Sequence, residues 1–512
     1  MSSSLLVRGR PDIHRPARPR RRIGSVVLVG LCVVFTVAVR LPFLGKAMMP
    51  DEAGLLLVAR QWSEGPYLYG DTFIGRGLLA VAFYRLGDLL GGAIGVRLLG
   101  CLVAALLVVA AGRAGHLLGG RAGAGWAALV AASYSSTYFF SSDVTNERLL
   151  GAALVMAGCA ATLSALRSAR PSGWAVAAGV LAAAPVLVVQ SYLDGLVFAS
   201  VVLVVLLVTA GGPRQHVRRV LFGGLAGIAA TVAAVVLLLA ATWMTFDQFW
   251  SQMVGYRVDA SVLVTATDND RAEGRLNALL LVASLSGVLT LACAIIAGAR
   301  PALRDRQRTA VWLGVAAMLA MSVASMVAGG DYWRDYLLQP IPALVLGVGL
   351  LSPLRTLSGR AVQVGAAWAA VASLLAVSYG TAVDPVLGDG EGQARVGRWL
   401  EANAAPDDTA LVLWGKANVL YHAGMTSPYP FMWSLLTRTL DPDLELLLQT
   451  IRGPEAPTWV VVWSDLDTWG LDADGELREA LEERYDEVGT VCGKEVLLLE
   501  GNARDVVPPE AC

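Results

Sequence analysis

Asp51 and Glu52 stand side by side directly after Pro50. Proline suits the first turn of a helix. The residues that follow, Leu55, Leu56, Val58, Ala59 and Trp62, mark one apolar face, so the spacing predicts a helix that begins at Pro50 and lies in the membrane interface. Carboxylates in a first turn favour the helix dipole, which alone would account for the pair. Their place in the chain argues for more. The apolar run 26–39 ends shortly before them, and an arginine cluster, Arg8, Arg10, Arg15, Arg18, Arg20, Arg21 and Arg22, precedes that run. By the positive-inside rule the cluster stays in the cytoplasm. The pair then faces the far side at membrane level, where carboxylates are costly unless they bind something or find partners. A carboxylate in such a place can take a proton from a reacting hydroxyl.

Other titratable residues fall on the same side. Asp143 lies in the polar segment Ser141-Ser142-Asp143-Val144-Thr145-Asn146-Glu147, and Asp194 lies between two apolar runs. Either is equally at home as the N-terminal charge of a helix. The outer-face arginines are Arg76, Arg257, Arg271, Arg275 and Arg334. A guanidinium forks well onto phosphate, but these also suit lipid headgroups or pairing with Asp259, Asp270 or Asp335. Outer aromatics such as Trp62, Tyr67, Trp250, Tyr256, Trp333 and Tyr336 fit an interface belt and also fit sugar stacking.

The elements that must hold these residues are membrane helices. Of 512 residues, 55% are hydrophobic and 16% charged, against about 25% charged in soluble proteins. The net charge of −1 suggests no nucleic-acid partner. Arg40, Pro42 and Phe43 do not form a signal-cleavage site. A span needs about 20 mostly apolar residues, and about eleven such segments are expected. They lie near 23–43, 93–118, 123–140, 148–166, 173–190, 194–211, 219–242, 276–298, 309–328, 337–354 and 361–383. The short turns on one side carry Arg121, Arg167, Arg170, Arg214, Arg218, Arg219, Arg300, Arg304, Arg306, Arg308, Arg355 and Arg360, as cytoplasmic turns should. The opposite loops are longer and carry acids and aromatics. The first, 44–92, is expected to hold two interfacial helices, one from Pro50 and one over Leu78–Leu90.

The composition changes after residue 384. The stretches 411–414, 459–463 and 495–499 read as buried strands, and 393–403, 442–451 and 475–485 as helices. That alternation points to a small extracytoplasmic α/β domain. Of six cysteines, Cys32, Cys101, Cys159 and Cys293 lie in apolar runs, where a thiol behaves as a small hydrophobe. Cys492 and Cys512 lie in the tail, and outside the cytoplasm they could pair. No Cys/His cluster signals zinc.

The layout resembles the type C glycosyltransferases, the integral-membrane enzymes that use polyprenyl-phosphate sugars, in the branch of the protein O-mannosyltransferases and aminoarabinose transferases. The likeness rests on Asp51-Glu52 in a long first outer loop, on Trp333-Arg334-Asp335-Tyr336-Leu337-Leu338-Gln339-Pro340 leading into a late span, and on Leu413-Trp414-Gly415 with Tyr421 in the tail. Many relatives carry Arg-Pro-Pro at the start of the second interfacial helix, where this chain reads Gly75-Arg76-Gly77-Leu78. The resemblance implies transfer of a sugar from a lipid phosphate to an acceptor hydroxyl, with inversion. It implies Asp51 as the base, Glu52 as a residue that orients the acceptor, helps hold a divalent ion or supports Asp51, and Asp143 as a second acidic residue for acceptor or metal. It implies Arg76, Arg257, Arg334 and Tyr336 at the donor phosphate. If a metal is used, Mg²⁺ or Mn²⁺ on Asp51, Glu52 and Asp143 is expected.

The expectation is therefore a mainly α, polytopic membrane bundle of about eleven spans, by the span length above. It has a basic cytoplasmic segment 1–22, a membrane domain 23–383 and an extracytoplasmic α/β domain 384–512. The expected location is the bacterial cytoplasmic membrane, with the N-terminus inside. The acceptor would be a cell-wall glycan, a glycolipid or a secreted protein. The rival readings are a transporter or lipid flippase, and a non-catalytic envelope assembly protein. Transporters often show internal repeats and mid-span charges; no repeat is visible here, and the charges gather in the outer loops.

Overall fold

The computed structural model describes residues 24–508, apart from Asp143, 210–213, Trp243, Asp268, 388–389 and Ala503. The chain runs through α1 (Ser25–Ala38), the short helices α2 (Pro50–Arg60) and α3 (Leu78–Leu89), then α4 (Ala93–Tyr134), α5 (Glu147–Arg167), α6 (Ser172–Ala183), α7 (Asp194–Val208) and α8 (Arg214–Ala241). Next come α9 (Phe246–Trp250), α10 (Tyr256–Thr267), α11 (Asn269–Leu285), α12 (Val288–Ala297), α13 (Ala299–Ala302), α14 (Arg306–Gly329), α15 (Ile341–Leu351) and α16 (Leu357–Leu387). Among the described residues, six helices are long and apolar enough to cross a membrane, or up to seven if the bent pair α11–α12 is one span. The other stretches read as spans fall on the second half of α4, on α6 with the 3-10 turn after it, on α7 and on α15. The polar group 190–195 separates α6 from α7, as expected.

Glycine decides where this bundle turns. The 42 residues assigned to α4 would, at about 1.5 Å each, far overrun a bilayer core of about 30 Å. The helix breaks at Gly119 and at Gly120, whose φ of 62° favours glycine. The two halves then fold back so tightly that a Cβ on Gly115 would lie 2.4 Å from the Gly123 carbonyl oxygen. The α11–α12 pair bends by 67° at Gly287, and Trp368 Nε1 donates to the freed Leu285 carbonyl at 2.8 Å. Every residue of α15 is buried, whereas Val26, Leu237 and Leu375 face outward, as a lipid solvent would favour.

The tail comprises α17 (Glu391–Asn403), β1 (Ala410–Leu413), α18 (Ala417–Ala423), α19 (Ser434–Leu440), α20 (Glu445–Arg452), β2 (Trp459–Val462), α21 (Glu476–Glu482), β3 (Tyr485–Val491) and β4 (Lys494–Leu499). The sheet order is β1-β2-β4-β3. β1 and β2 are parallel, with Ala410 opposite Trp459, and the other pairs are antiparallel. Tyr485 was expected to end a helix but opens β3 instead. That strand is mostly solvent-facing and bulged between Glu487 and Gly489, so it carries no apolar run to announce it. The helices α18 and α19 were not anticipated.

A second correction concerns α2. The sequence placed its apolar face on lipid, but Leu55, Leu56, Val58 and Ala59 share one core with Val396, Leu400, Val412 and Trp459 of the tail. Burying apolar side chains against protein stabilises by about 1.5–3 kcal/mol each, and here it joins the tail to the segment between α1 and α4.

Candidate functional site

Met49 is extended and Pro50 takes the first helical position, so α2 starts with Asp51 and Glu52 in its opening turn. Successive residues point about 100° apart round a helix, and the two carboxylates meet opposite fates. Glu52 is buried. Its oxygens accept from Arg97 Nε at 3.1 Å and Nη2 at 2.8 Å and from the Thr145 backbone N–H at 3.3 Å. Arg97 also donates to the carbonyls of Phe43, Leu44 and Ala47. The pair therefore fastens α2, α4 and the 144–146 segment together.

Asp51 is exposed. Its Oδ1 accepts the indole N–H of Trp433 at 2.8 Å, while Oδ2 has no partner among the described residues. The indole lies across Gly54, one turn along α2. A Cβ there would stand 2.3 Å from Trp433 Cζ2, so only glycine leaves room.

A cationic cradle lies within electrostatic reach. Arg76 Nε binds Glu147 Oε1 at 3.0 Å. Arg148, next to Glu147 in the first turn of α5, binds Asp335 Oδ2 through Nε at 2.9 Å and packs 4.0 Å over the Tyr336 ring. Asn146 Nδ2 also donates to Asp335 Oδ2, at 3.2 Å. Both guanidinium groups are held from behind through Nε, and their terminal nitrogens make no hydrogen bond among the described residues. Arg275 donates to the Asp331 carbonyl at 2.6 Å and sits 5.0 Å over Trp333.

The electrostatics agree with this crowding. Burial opposes the Arg76 charge, but Glu147 and then Asp51 outweigh it and leave the pKa above its usual value, with Arg148 pulling the other way. Burial pushes the Asp331 carboxyl up, against the pull of Arg275, Arg438, Arg148 and Arg76. Burial likewise lifts the Tyr336 phenol to about 12, with Arg148 opposing. Two guanidinium groups that repel one another and keep free N–H groups form a site that favours an anion.

The Gly75-Arg76-Gly77 segment has a physical reason. A Cβ on Gly75 would meet the Tyr256 ring at 2.5 Å, and one on Gly77 would lie 1.9 Å from the Leu187 carbonyl oxygen. The backbone carrying Arg76 is thus squeezed between α10 and the turn after α6. Arg257 Nη2 donates to the Gly75 carbonyl at 3.0 Å, and its Nε is buried without a partner among the described residues.

The remaining sequence candidates scatter. Arg334 is exposed, with no hydrogen bond or ion pair among the described residues. Asp194 is fully buried and accepts from Ser322 Oγ and Gln339 Nε2, each at 2.8 Å, so it ties α7 to α14 and to the start of α15. Asp143 lies outside the described residues. Cys492 is disulfide-bonded, and Cys512 lies outside the described residues.

For a divalent ion, Glu52 does not fit as a ligand, since both its oxygens are engaged. Among the described residues no group of three His, Cys, Asp or Glu stands ready to hold a metal.

Three residues escaped the sequence reading. Arg97 and Arg148 had a signal: each is a cation near the start of an apolar helix, where it opposes the dipole and needs an acid nearby. Trp433 had none, being one tryptophan among 14.

The helical bundle with the tail packed on it has the fold of membrane proteins of known structure that the chain resembles over most of its length. Among solved structures, the chain resembles ArnT from Cupriavidus metallidurans in the apo state, with a TM-score of 0.62 and 14% identity over 95% of this chain and 99% of that one. The same protein bound to undecaprenyl phosphate matches with a TM-score of 0.62, 16% identity and the same coverage. The oligosaccharyltransferase AglB from Archaeoglobus fulgidus, in complex with an inhibitory peptide and a dolichol-phosphate, matches with a TM-score of 0.50 and 11% identity over 94% of this chain and 74% of that one. No protein-family model and no curated protein matches.

Proposed function

We propose that this protein transfers a sugar from a polyprenyl-phosphate donor to an acceptor hydroxyl at the outer face of the cytoplasmic membrane. The observation that carries the reading is an exposed carboxylate with one open oxygen, Asp51, within electrostatic reach of Arg76, which stands with Arg148 as a pair of guanidinium groups with open terminal nitrogens. Undecaprenyl phosphate in the ArnT structure and dolichol-phosphate in the AglB structure support a lipid-phosphate donor.

In this reading the acceptor oxygen attacks C1 of the sugar while its proton passes to Asp51 Oδ2. The bond from C1 to the phosphate oxygen breaks, and its electron pair leaves with the polyprenyl phosphate. Arg76 and Arg148 stabilise that growing charge from fixed positions, with Tyr336 holding Arg148 from its ring face and Arg257 bracing the Gly75 carbonyl. A single displacement inverts C1. Glu52 acts by positioning, since its pairing with Arg97 fixes the turn that presents Asp51. The arginine-rich N-terminal segment would stay in the cytoplasm and the tail would lie outside. The acceptor would be a cell-wall glycan, a glycolipid or a secreted protein.

The test is glycan and lipid-linked sugar analysis of a deletion strain complemented with wild type or with Asp51→Asn. Accumulation of a polyprenyl-phosphate sugar, loss of one surface sugar and rescue by wild type alone support the transferase. Full rescue by Asp51→Asn, or an unchanged glycan profile in the deletion strain, overturns it.

A further inference from the structure

We infer that Trp433 is a positioning residue for Asp51: its indole N–H holds Oδ1 so that Oδ2 is aimed at the acceptor hydroxyl. The inference rests on the reading of Asp51 as the base, and it makes the C-terminal part of the chain a working component of the transfer site.

The two residues are 382 positions apart, and the hydrogen bond between them is 2.8 Å long. An aspartate on the first turn of a helix otherwise swings freely about its side-chain torsions. One fixed donor removes that freedom. The donor is itself immobile. Trp433 precedes α19, and its carbonyl accepts from the Leu436 and Thr437 amides at 3.0 and 3.3 Å. Its ring packs against both apolar cores of the tail region. The turn at Trp414-Gly415 backs this segment: Gly415, at φ 102°, would place a Cβ 3.6 Å from the Ser434 amide, while Trp414 Nε1 donates to the Asp465 carbonyl at 3.1 Å. That gives the Trp-Gly pair noted in the sequence a task, the support of Trp433.

Two further observations separate positioning from mere packing. Gly54 is the gap that lets the indole reach Asp51, since a Cβ at that position would collide with it. Asp51 also stays exposed with the indole in place, so Trp433 holds the carboxylate without covering it.

The test uses full-length protein in membranes of the deletion strain, and the polyprenyl-phosphate sugar extracted from that strain as donor. Trp433→Phe keeps the ring and removes the N–H. It should lower kcat about 10- to 100-fold, the scale of a lost alignment, with donor KM within about twofold. Gly54→Ala keeps the N–H and displaces the ring. It should lower kcat to a similar extent, although alanine is the better helix former by about 1 kcal/mol. The double variant should fall no further than the lower single one, because both remove the same bond. Trp433→Phe at wild-type rate, a double variant equal to the product of the singles, or a loss confined to KM would each overturn the inference. If Trp433→Phe fails to accumulate in the membrane, Gly54→Ala carries the test by the same split between kcat and KM. An active Asp51→Asn sinks the base reading itself. An inactive Asp51→Asn beside an unimpaired Trp433→Phe sinks this inference alone.

Discussion

At the scale of single residues, adjacency in sequence misleads. Asp51 and Glu52 differ by one methylene and one position, yet one faces solvent and the other neutralises a buried arginine. Asp51→Asn should leave thermal stability unchanged and lower transfer by about 10²–10⁴-fold, the range of a lost general base. Glu52→Gln should do the opposite first. Breaking one side of a buried ion pair costs about 3–5 kcal/mol, so a lowered melting temperature in detergent should precede any kinetic effect. Arg148→Met should weaken undecaprenyl phosphate binding about 10- to 100-fold, from the loss of charge-assisted hydrogen bonds worth about 1.5–3 kcal/mol, measured by titration of the purified protein. Equal affinity in that variant would remove Arg148 from the phosphate site.

At the scale of elements, close approach of backbones sets the geometry. Gly77→Ala would drive a methyl into the Leu187 carbonyl. Overpacking of this kind costs about 1–3 kcal/mol and should show as a lower melting temperature together with a raised donor KM, because Arg76 moves with the segment. His422 offers a pH test on α18. Burial first, and then Arg398, hold its pKa below the usual value, and its Nε2 is buried without a partner among the described residues. The unfolded chain therefore takes up a proton at higher pH than the folded one. The resulting stability is present above about pH 6.5 and is lost as pH falls through that value toward the lower folded pKa. His422→Phe should flatten this acid-side decline in melting temperature; an unaltered profile would count against it. The apolar spans were legible because length and hydropathy alone mark them. The helix breaks at Gly120 and Gly287 were not, since glycine is common in this chain and only packing shows which ones bend.

At the scale of the whole molecule, the tail is bound into the segment between α1 and α4. Asn418 Nδ2 donates to the Met48 carbonyl at 2.9 Å, Trp433 reaches Asp51, and α2 lies within the core it shares with the tail. A chain ending before α17 should still insert into the membrane, show no transfer, and expose α2 to added protease. Digestion of intact cells should remove the tail of the full-length protein only if it lies outside; protection of the tail would reverse the proposed orientation.

The sequence by itself determined the membrane character, the place of the acidic pair and the family likeness, because each depends on local composition and on the order of segments. It showed a strand–helix tail for the same reason, and lost β3 because a half-exposed strand has no apolar run. Which carboxylate is free, which arginines keep open nitrogens and why Gly54 and Gly77 must be glycine were decided only in three dimensions. They depend on partners from 45 to 382 positions away, and no local pattern encodes such distances.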